Sequence, residues 1–384
     1  MPLTAPHPYI HWSEGGAPRT ARWRSESGTA APARVLPADD TLSADAAYRL
    51  ACEGTALLWR GDYHNARQLL QALERRIARG PRKGGDARPA LASPSEAFHR
   101  HRQAQAQRAR VLGMLLLPLD GDYGVPLRRA PDARAACAEA WGPATGEPAA
   151  VALRELLGLV GAHEWRRKGV EIPALGGARI HPHYGVFSPV RGEYVDLVAQ
   201  APLPGTELAF DIGAGTGVLS AVLARRGVRR IVATDMDPRA LACARDNLDR
   251  LGLSAQVELL AADLFPPGRA ALVVCNPPWL PARAATPIEH AVYDEGSRML
   301  RGFLAGLADH LAAGGEGWLI LSDLAEHLGL RTRAELQEWV EAAGLRVLAR
   351  ADARPRHPKS RDAADPLHEA RAREVTSLWR LAAR

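Results

Sequence analysis

The stretch Leu208-Ala209-Phe210-Asp211-Ile212-Gly213-Ala214-Gly215-Thr216-Gly217-Val218-Leu219 constrains this chain more than any other. An apolar run of strand length leads into alternating glycines and then into a helical period. Glycine reaches positive φ at little cost and has no Cβ, so backbone can press against a ligand there. In open α/β sheets, the turn from the first strand into its helix is where ligands bind. A dinucleotide fingerprint requires glycines at 213, 215 and 218, but position 218 is valine. A phosphate-cradling P-loop requires lysine followed by serine or threonine, and neither is present.

From Pro173 onward, strands alternate with helices at the spacing of βαβ units. The expected strands are Leu208–Ile212, Ile231–Thr234, Val257–Leu260, Ala271–Cys275, Trp318–Ser322, Leu345–Ala351 and Val375–Leu381. Helical periods fill Leu219–Arg226, Pro238–Leu251, Ser297–Ala312, Leu324–Leu328 and Arg333–Ala343. No helical pattern separates the last two strands, which predicts an antiparallel final strand. Residues 173–384 are thus expected to form a doubly wound, seven-stranded α/β domain.

Residues 1–38 are rich in Pro, Gly, Ser and Arg and show no sustained apolar period, so they are expected to form a flexible arm. Residues 39–172 are expected to form a mainly helical domain. Leu42, Ala46, Leu50, Leu57, Leu58, Ala66, Leu69, Leu70, Leu73 and Ile77 recur at three- and four-residue intervals. Ser93-Pro94-Ser95-Glu96 resembles a capped helix start, and the block 111–129, apolar and then broken at Pro118 and at Asp120-Gly121, is expected to hold a strand and a turn. The net charge is +6, and the excess lies in residues 1–170. The run Arg75–Arg110 is its densest part and reads equally as a phosphate dock or a solvated face. No apolar stretch approaches the ~20 residues needed to span a bilayer, and no secretory signal is visible, so the chain is expected to be cytoplasmic. Four scattered cysteines give neither close pairs for zinc nor a disulfide scaffold.

Beyond the glycine turn, Asp235 closes the second strand, where a carboxylate can accept hydrogen bonds from two ribose hydroxyls. Asp237 is the better candidate to cap the helix starting at Pro238. Asp263 ends the third strand, where it can meet an exocyclic amino group or start a turn. Asn276-Pro277-Pro278-Trp279 follows the buried fourth strand. The two prolines hold the backbone outside the sheet, so the Asn276 and Pro277 carbonyls can converge on a ligand beside the flat Trp279 ring.

In these features the sequence resembles class I S-adenosylmethionine-dependent methyltransferases. It is most similar to the small-domain group that contains the release-factor and ribosomal-protein glutamine methyltransferases and several ribosomal RNA N-methyltransferases. The carriers are DIGAGTG at 211–217, ATDMDPRAL at 233–241, AADLF at 261–265 and VVCNPPW at 273–279. The resemblance implies S-adenosylmethionine as cofactor. Asp211, Gly213, Gly215 and Gly217 would line its methionine and ribose region, Asp235 would hold the ribose hydroxyls, and Asp263 would lie near adenine. It further implies that Asn276 and Pro277 accept the hydrogens of the target nitrogen while Pro278 and Trp279 border a planar group. No metal is required.

Trp279 stands where the glutamine methyltransferases usually carry tyrosine. His181–Glu193 occupies the place of their active-site loop, so Phe187, Arg191 and Glu193 are candidates for a substrate lid, with a packed linker as the other reading. His181 and His183 are two residues apart without a third ligand in sight. The expected acceptor is a planar nitrogen of a macromolecule, either protein (a release factor or ribosomal protein) or an RNA base. A catalytically inactive RNA-binding or assembly factor and a small-metabolite methyltransferase are the alternatives.

Overall fold

The computed structural model describes residues 8–79, 93–190, 192–284, 287–356 and 362–384. Two compact units emerge: Met1–Ala90 with His99–Glu164, and Leu91–Phe98 with Trp165–Arg384.

The first part of the chain runs through β1 (Tyr9–Glu14), β2 (Ala17–Arg24), β3 (Arg34–Ala38), α1 (Ala44–Cys52), β4 (Thr55–Trp59) and α2 (Tyr63–Arg79). It continues through α3 (Pro94–Leu112), β5 (Leu115–Leu119), α4 (Arg134–Trp141), β6 (Ala149–Ala152) and α5 (Leu153–Lys168). Helices hold more of the described residues than strands, as expected, but a six-stranded sheet ordered β1-β2-β6-β5-β4-β3 organises the unit.

The arm expected at residues 1–38 is therefore corrected, because residues 9–38 contribute three of these strands. Gly15 and Gly16, at φ 60° and 79°, join β1 to β2 with Glu14 opposite Ala17. Two positive φ values in a two-residue loop match the twist of a hairpin. The strand pattern is hidden because Arg22 and Arg24 of β2 are buried where apolar residues would normally alternate. Likewise Leu57 and Leu58 belong to the wholly buried β4, since the short apolar run Ala56–Trp59 carries no period of its own. The helix start at Ser93 holds, with its Oγ accepting the Glu96 N–H at 3.3 Å and α3 beginning at Pro94. Part of the basic run is paired inside its own unit: Arg76 meets Asp45 at 2.8 Å and Arg108 meets Glu74 at 3.2 Å. Residues 80–92 of that run lie outside the described residues.

The other unit opens with the short antiparallel pair β7 (Val170–Glu171) and β8 (Arg179–Ile180), then α6 (Glu193–Gln200) and β9 (Leu208–Ile212). It continues through α7 (Val218–Arg225), β10 (Arg230–Asp235), α8 (Pro238–Leu251), β11 (Val257–Ala261) and β12 (Ala270–Cys275). α9 (Arg298–His310), β13 (Leu311–Ser322), α10 (Leu324–His327), α11 (Arg333–Ala342), β14 (Leu345–Ala353), α12 (His368–Arg373) and β15 (Thr376–Ala383) complete it.

The seven strands order β11-β10-β9-β12-β13-β15-β14, and only β15 runs antiparallel to its neighbours. The expected doubly wound sheet with its reversed final strand is thus present. A six-residue helix, α12, does lie between the last two strands; its only apolar residues are buried Ala370 and exposed Ala372, so no apolar period announced it. Ala209 of β9 and Leu272 and Val274 of β12 face one core, while Phe210, Ile212, Val273 and Cys275 face the other. Burial on both faces produces the continuous apolar runs that mark parallel strands. All four cysteines are free, three of them buried. Among the described residues no helix is long and apolar enough to cross a membrane.

Candidate active site

The strand order reverses at β9, which pairs with β10 on one side and β12 on the other. Loops leaving the carboxyl ends of strands on either side of such a reversal open a crevice, the usual ligand position in open α/β sheets. Ile212 lies opposite Cys275, so the glycine turn after β9 and the Asn276 turn after β12 leave the sheet side by side.

Gly213, Gly215 and Gly217 all adopt positive φ, at 79°, 53° and 77°. The Thr234 carbonyl accepts the Gly213 and Ala214 N–H groups and ties the turn to the end of β10. A methyl group added at Gly213 would strike Met299, while one added at Gly215 would meet nothing within 4 Å. Open space at Gly215 is the cradle a ligand needs.

Asp211 is 1% exposed, and its Oδ2 accepts the Ser220 N–H at 3.0 Å and hydroxyl at 2.6 Å. Burial pushes this carboxyl up to about 6 against the pull of those two donors, with nearby Asp235 adding repulsion. Asp211 therefore holds the turn against α7 instead of lining the crevice as its motif position suggested. Asp235 accepts the Gly215 N–H through Oδ2 at 3.0 Å and the Asp237 N–H through Oδ1 at 2.9 Å. Burial raises its pKa while these backbone donors lower it. Each oxygen still has acceptor capacity for a hydroxyl. Asp237 caps α8 by accepting the Arg239 N–H, as expected.

After β12 the Trp279 indole N–H donates to Asn276 Oδ1 at 2.9 Å. Trp279 is half-buried and packs against both cores, so it props up the turn as well as offering a flat face. Pro277 is buried, and Pro278 is half-buried. Asp263 lies at the exposed rim, with Arg298 3.3 Å from its carboxylate. Arg298 escaped the sequence reading, as did Asp294, whose carboxylate caps α9 by accepting the Met299 and Leu300 N–H groups. No local motif marks either one; the partners are brought together by the fold.

The segment from His181 packs along α8. The His181 N–H donates to Asn247 Oδ1, His183 Nε2 meets Asp246, and Val186 packs on Ala240 and Cys243. This climb leaves Phe187, 38% exposed, near the first turn of α8. Glu193 is 4% exposed, and its Oε1 is a buried acceptor without a partner. It is no exposed lid residue, and Arg191 lies outside the described residues. Among the described residues no three His, Cys, Asp or Glu side chains are grouped to hold a metal ion.

Residues 178–341 match the family model for the methyltransferase small domain. This segment is similar to the methyltransferase small domain. Over 169 residues the chain is 31% identical to a release factor glutamine methyltransferase of Cereibacter sphaeroides, covering 40% of this chain and 58% of that protein. It is 32% identical over 139 residues to a ribosomal protein L11 methyltransferase of Yersinia pseudotuberculosis, covering 36% of this chain and 44% of the relative. The chain thus spans about half the length of these relatives. A crystal structure of a ribosomal protein L11 methylase from Lactobacillus delbrueckii subsp. bulgaricus aligns with 54% of this chain and 87% of its own, at 14% identity and a TM-score of 0.38.

The crevice between these two turns fits a nucleoside. Asp235 offers a carboxylate to vicinal hydroxyls, and Gly215 leaves room for the ligand.

Proposed function

We propose that this chain is an S-adenosylmethionine-dependent N-methyltransferase whose acceptor is a planar amide nitrogen of a protein, a glutamine side chain in the first instance. The observation that carries the reading is the Asn276-Pro277-Pro278-Trp279 turn leaving the sheet directly beside the glycine turn. Relatives named for a release factor and for a ribosomal protein favour protein over an RNA base. A cytoplasmic setting suits such an acceptor and four free cysteines.

An amide nitrogen is a poor nucleophile because its lone pair is delocalised into the carbonyl. When bound, S-adenosylmethionine would supply an electrophilic sulfonium methyl, and the amide nitrogen that takes it would release one N–H proton to solvent. Asn276 Oδ1 keeps one lone pair after accepting the Trp279 N–H, and it takes one hydrogen of the target. The Pro277 carbonyl takes the other. Two acceptors fixed before reaction pull the nitrogen toward a more nucleophilic geometry at no reorganisation cost. Gly213, Gly215, Gly217 and Asp235 bind the cofactor, with Asp263 at the adenine rim and Asp211 as a positioning residue. Phe187, Pro278 and Trp279 border the acceptor plane.

The Trp279 hydrogen bond makes this testable. Trp279→Phe keeps a flat ring but removes the donor that orients Asn276. With protein extract as acceptor, kcat should fall about tenfold, the value of one lost hydrogen bond, at unchanged cofactor affinity and acceptor KM. An unchanged kcat would remove this contact from the mechanism.

A further inference from the structure

Arg331 lies between α10 and α11 and is 4% exposed. Its Nε and Nη2 atoms are buried without a hydrogen-bond partner. Leaving a charged donor pair out of water and unpaired costs several kcal/mol, so chains rarely keep one without a use. The carboxylates around it are already engaged. Asp294 caps α9, Glu326 accepts Arg333 at 2.9 Å, and Glu335 closes a capping box with Thr332. Burial depresses the guanidinium pKa against the pull of these carboxylates.

Its place ties it to the site. α10 and α11 follow β13, which pairs with β12 in parallel, so Arg331 lies at the carboxyl edge of the sheet that carries Asn276. Leu330 packs in one apolar cluster with Leu280, the residue after Trp279. Asp294, within electrostatic reach of Arg331, caps the helix whose Met299 rests against Gly213. The Nε–Nη2 edge of a guanidinium presents two parallel N–H donors matched to a two-oxygen anion. Arg333 adds a second cation while Glu326, Glu335 and Asp294 supply three carboxylates, surroundings that disfavour a doubly charged phosphate more than a singly charged group. The positive end of α11 starts two residues later and adds to that preference for an anion.

We propose that Arg331 is a carboxylate-binding residue on the acceptor side of this site, taking an acidic group of the protein substrate through its Nε–Nη2 edge. The proposal rests on the acceptor reading above, but its first test uses full-length protein without cofactor or transfer, so the two can fail separately. Thermal midpoints are measured in potassium acetate, potassium phosphate and potassium chloride at matched ionic strength, for wild type, Arg331→Met and Arg331→Lys. Acetate should raise the wild-type midpoint by about 2 °C over chloride. Arg331→Met should match or exceed wild type in chloride, because a buried unpaired charge is gone, and should lose the acetate response. Arg331→Lys keeps the charge but not the fork and should lose most of that response. In turnover, both variants should raise acceptor KM about tenfold with kcat little changed. An acetate response identical in all three proteins would overturn the proposal, as would a wild-type-minus-Arg331→Met difference larger in phosphate than in acetate, since phosphate stabilises folded chains generally. A kcat loss at unchanged KM would do the same.

Discussion

Asn276→Ala is expected to lower methyl transfer by about 10³-fold while leaving cofactor affinity within about threefold, the pattern of a lost interaction made chiefly in the transition state. Asn276 holds one of the two acceptors the target nitrogen needs, and its Oδ1 is already oriented by Trp279 at 2.9 Å. Removing the side chain leaves Pro277 as sole acceptor and frees the indole N–H. The fold should tolerate the change, since Asn276 is half-buried and sits beyond the end of β12. Single-turnover transfer and calorimetric cofactor binding measured on one preparation separate the two effects. Full turnover in the variant would take Asn276 out of the chemistry, and a parallel collapse of binding would make it a cofactor residue.

Asp235→Ala should produce the opposite pattern. Two hydroxyl hydrogen bonds to a carboxylate are worth about 1.5–3 kcal/mol each, so cofactor affinity should drop about 100-fold or more. Saturating cofactor should restore much of kcat. Because burial raises the Asp235 pKa, the wild-type acceptor is lost as pH falls through that raised value. Affinity should therefore weaken on acidification, and Asp235→Asn should flatten the profile. Calorimetric titration from neutral to mildly acid pH checks both; unaltered affinity in Asp235→Ala would refute the ribose assignment.

How far the sequence disclosed this site depends on where each contact comes from. The glycine turn, Asp235 and Asn276-Pro277-Pro278-Trp279 were legible because each sits within a few residues of a strand end, and buried parallel strands announce themselves as apolar runs. The β1–β2 hairpin was obscured by Arg22 and Arg24, although Gly15-Gly16 marked its turn. Asp211 was legible as a motif residue but not in its orientation, because Ser220, nine residues on, decides where its carboxylate turns. Arg298, Asp294 and Arg331 were invisible for a related reason: their surroundings are assembled from segments far apart in the chain. Local pattern reads the strand ends well and the contacts between them poorly.

The central claim is methylation of a protein amide nitrogen. It is tested most directly by supplying methyl-labelled S-adenosylmethionine and full-length protein to an extract lacking the endogenous activity, then treating separate portions with protease, ribonuclease and hot acid. The account predicts label lost from the macromolecular fraction with protease, kept with ribonuclease, and released by acid as volatile methylamine, since hydrolysis of an N-methylated glutamine amide yields that amine. Label released by ribonuclease, or left in a non-volatile form by acid, would contradict it.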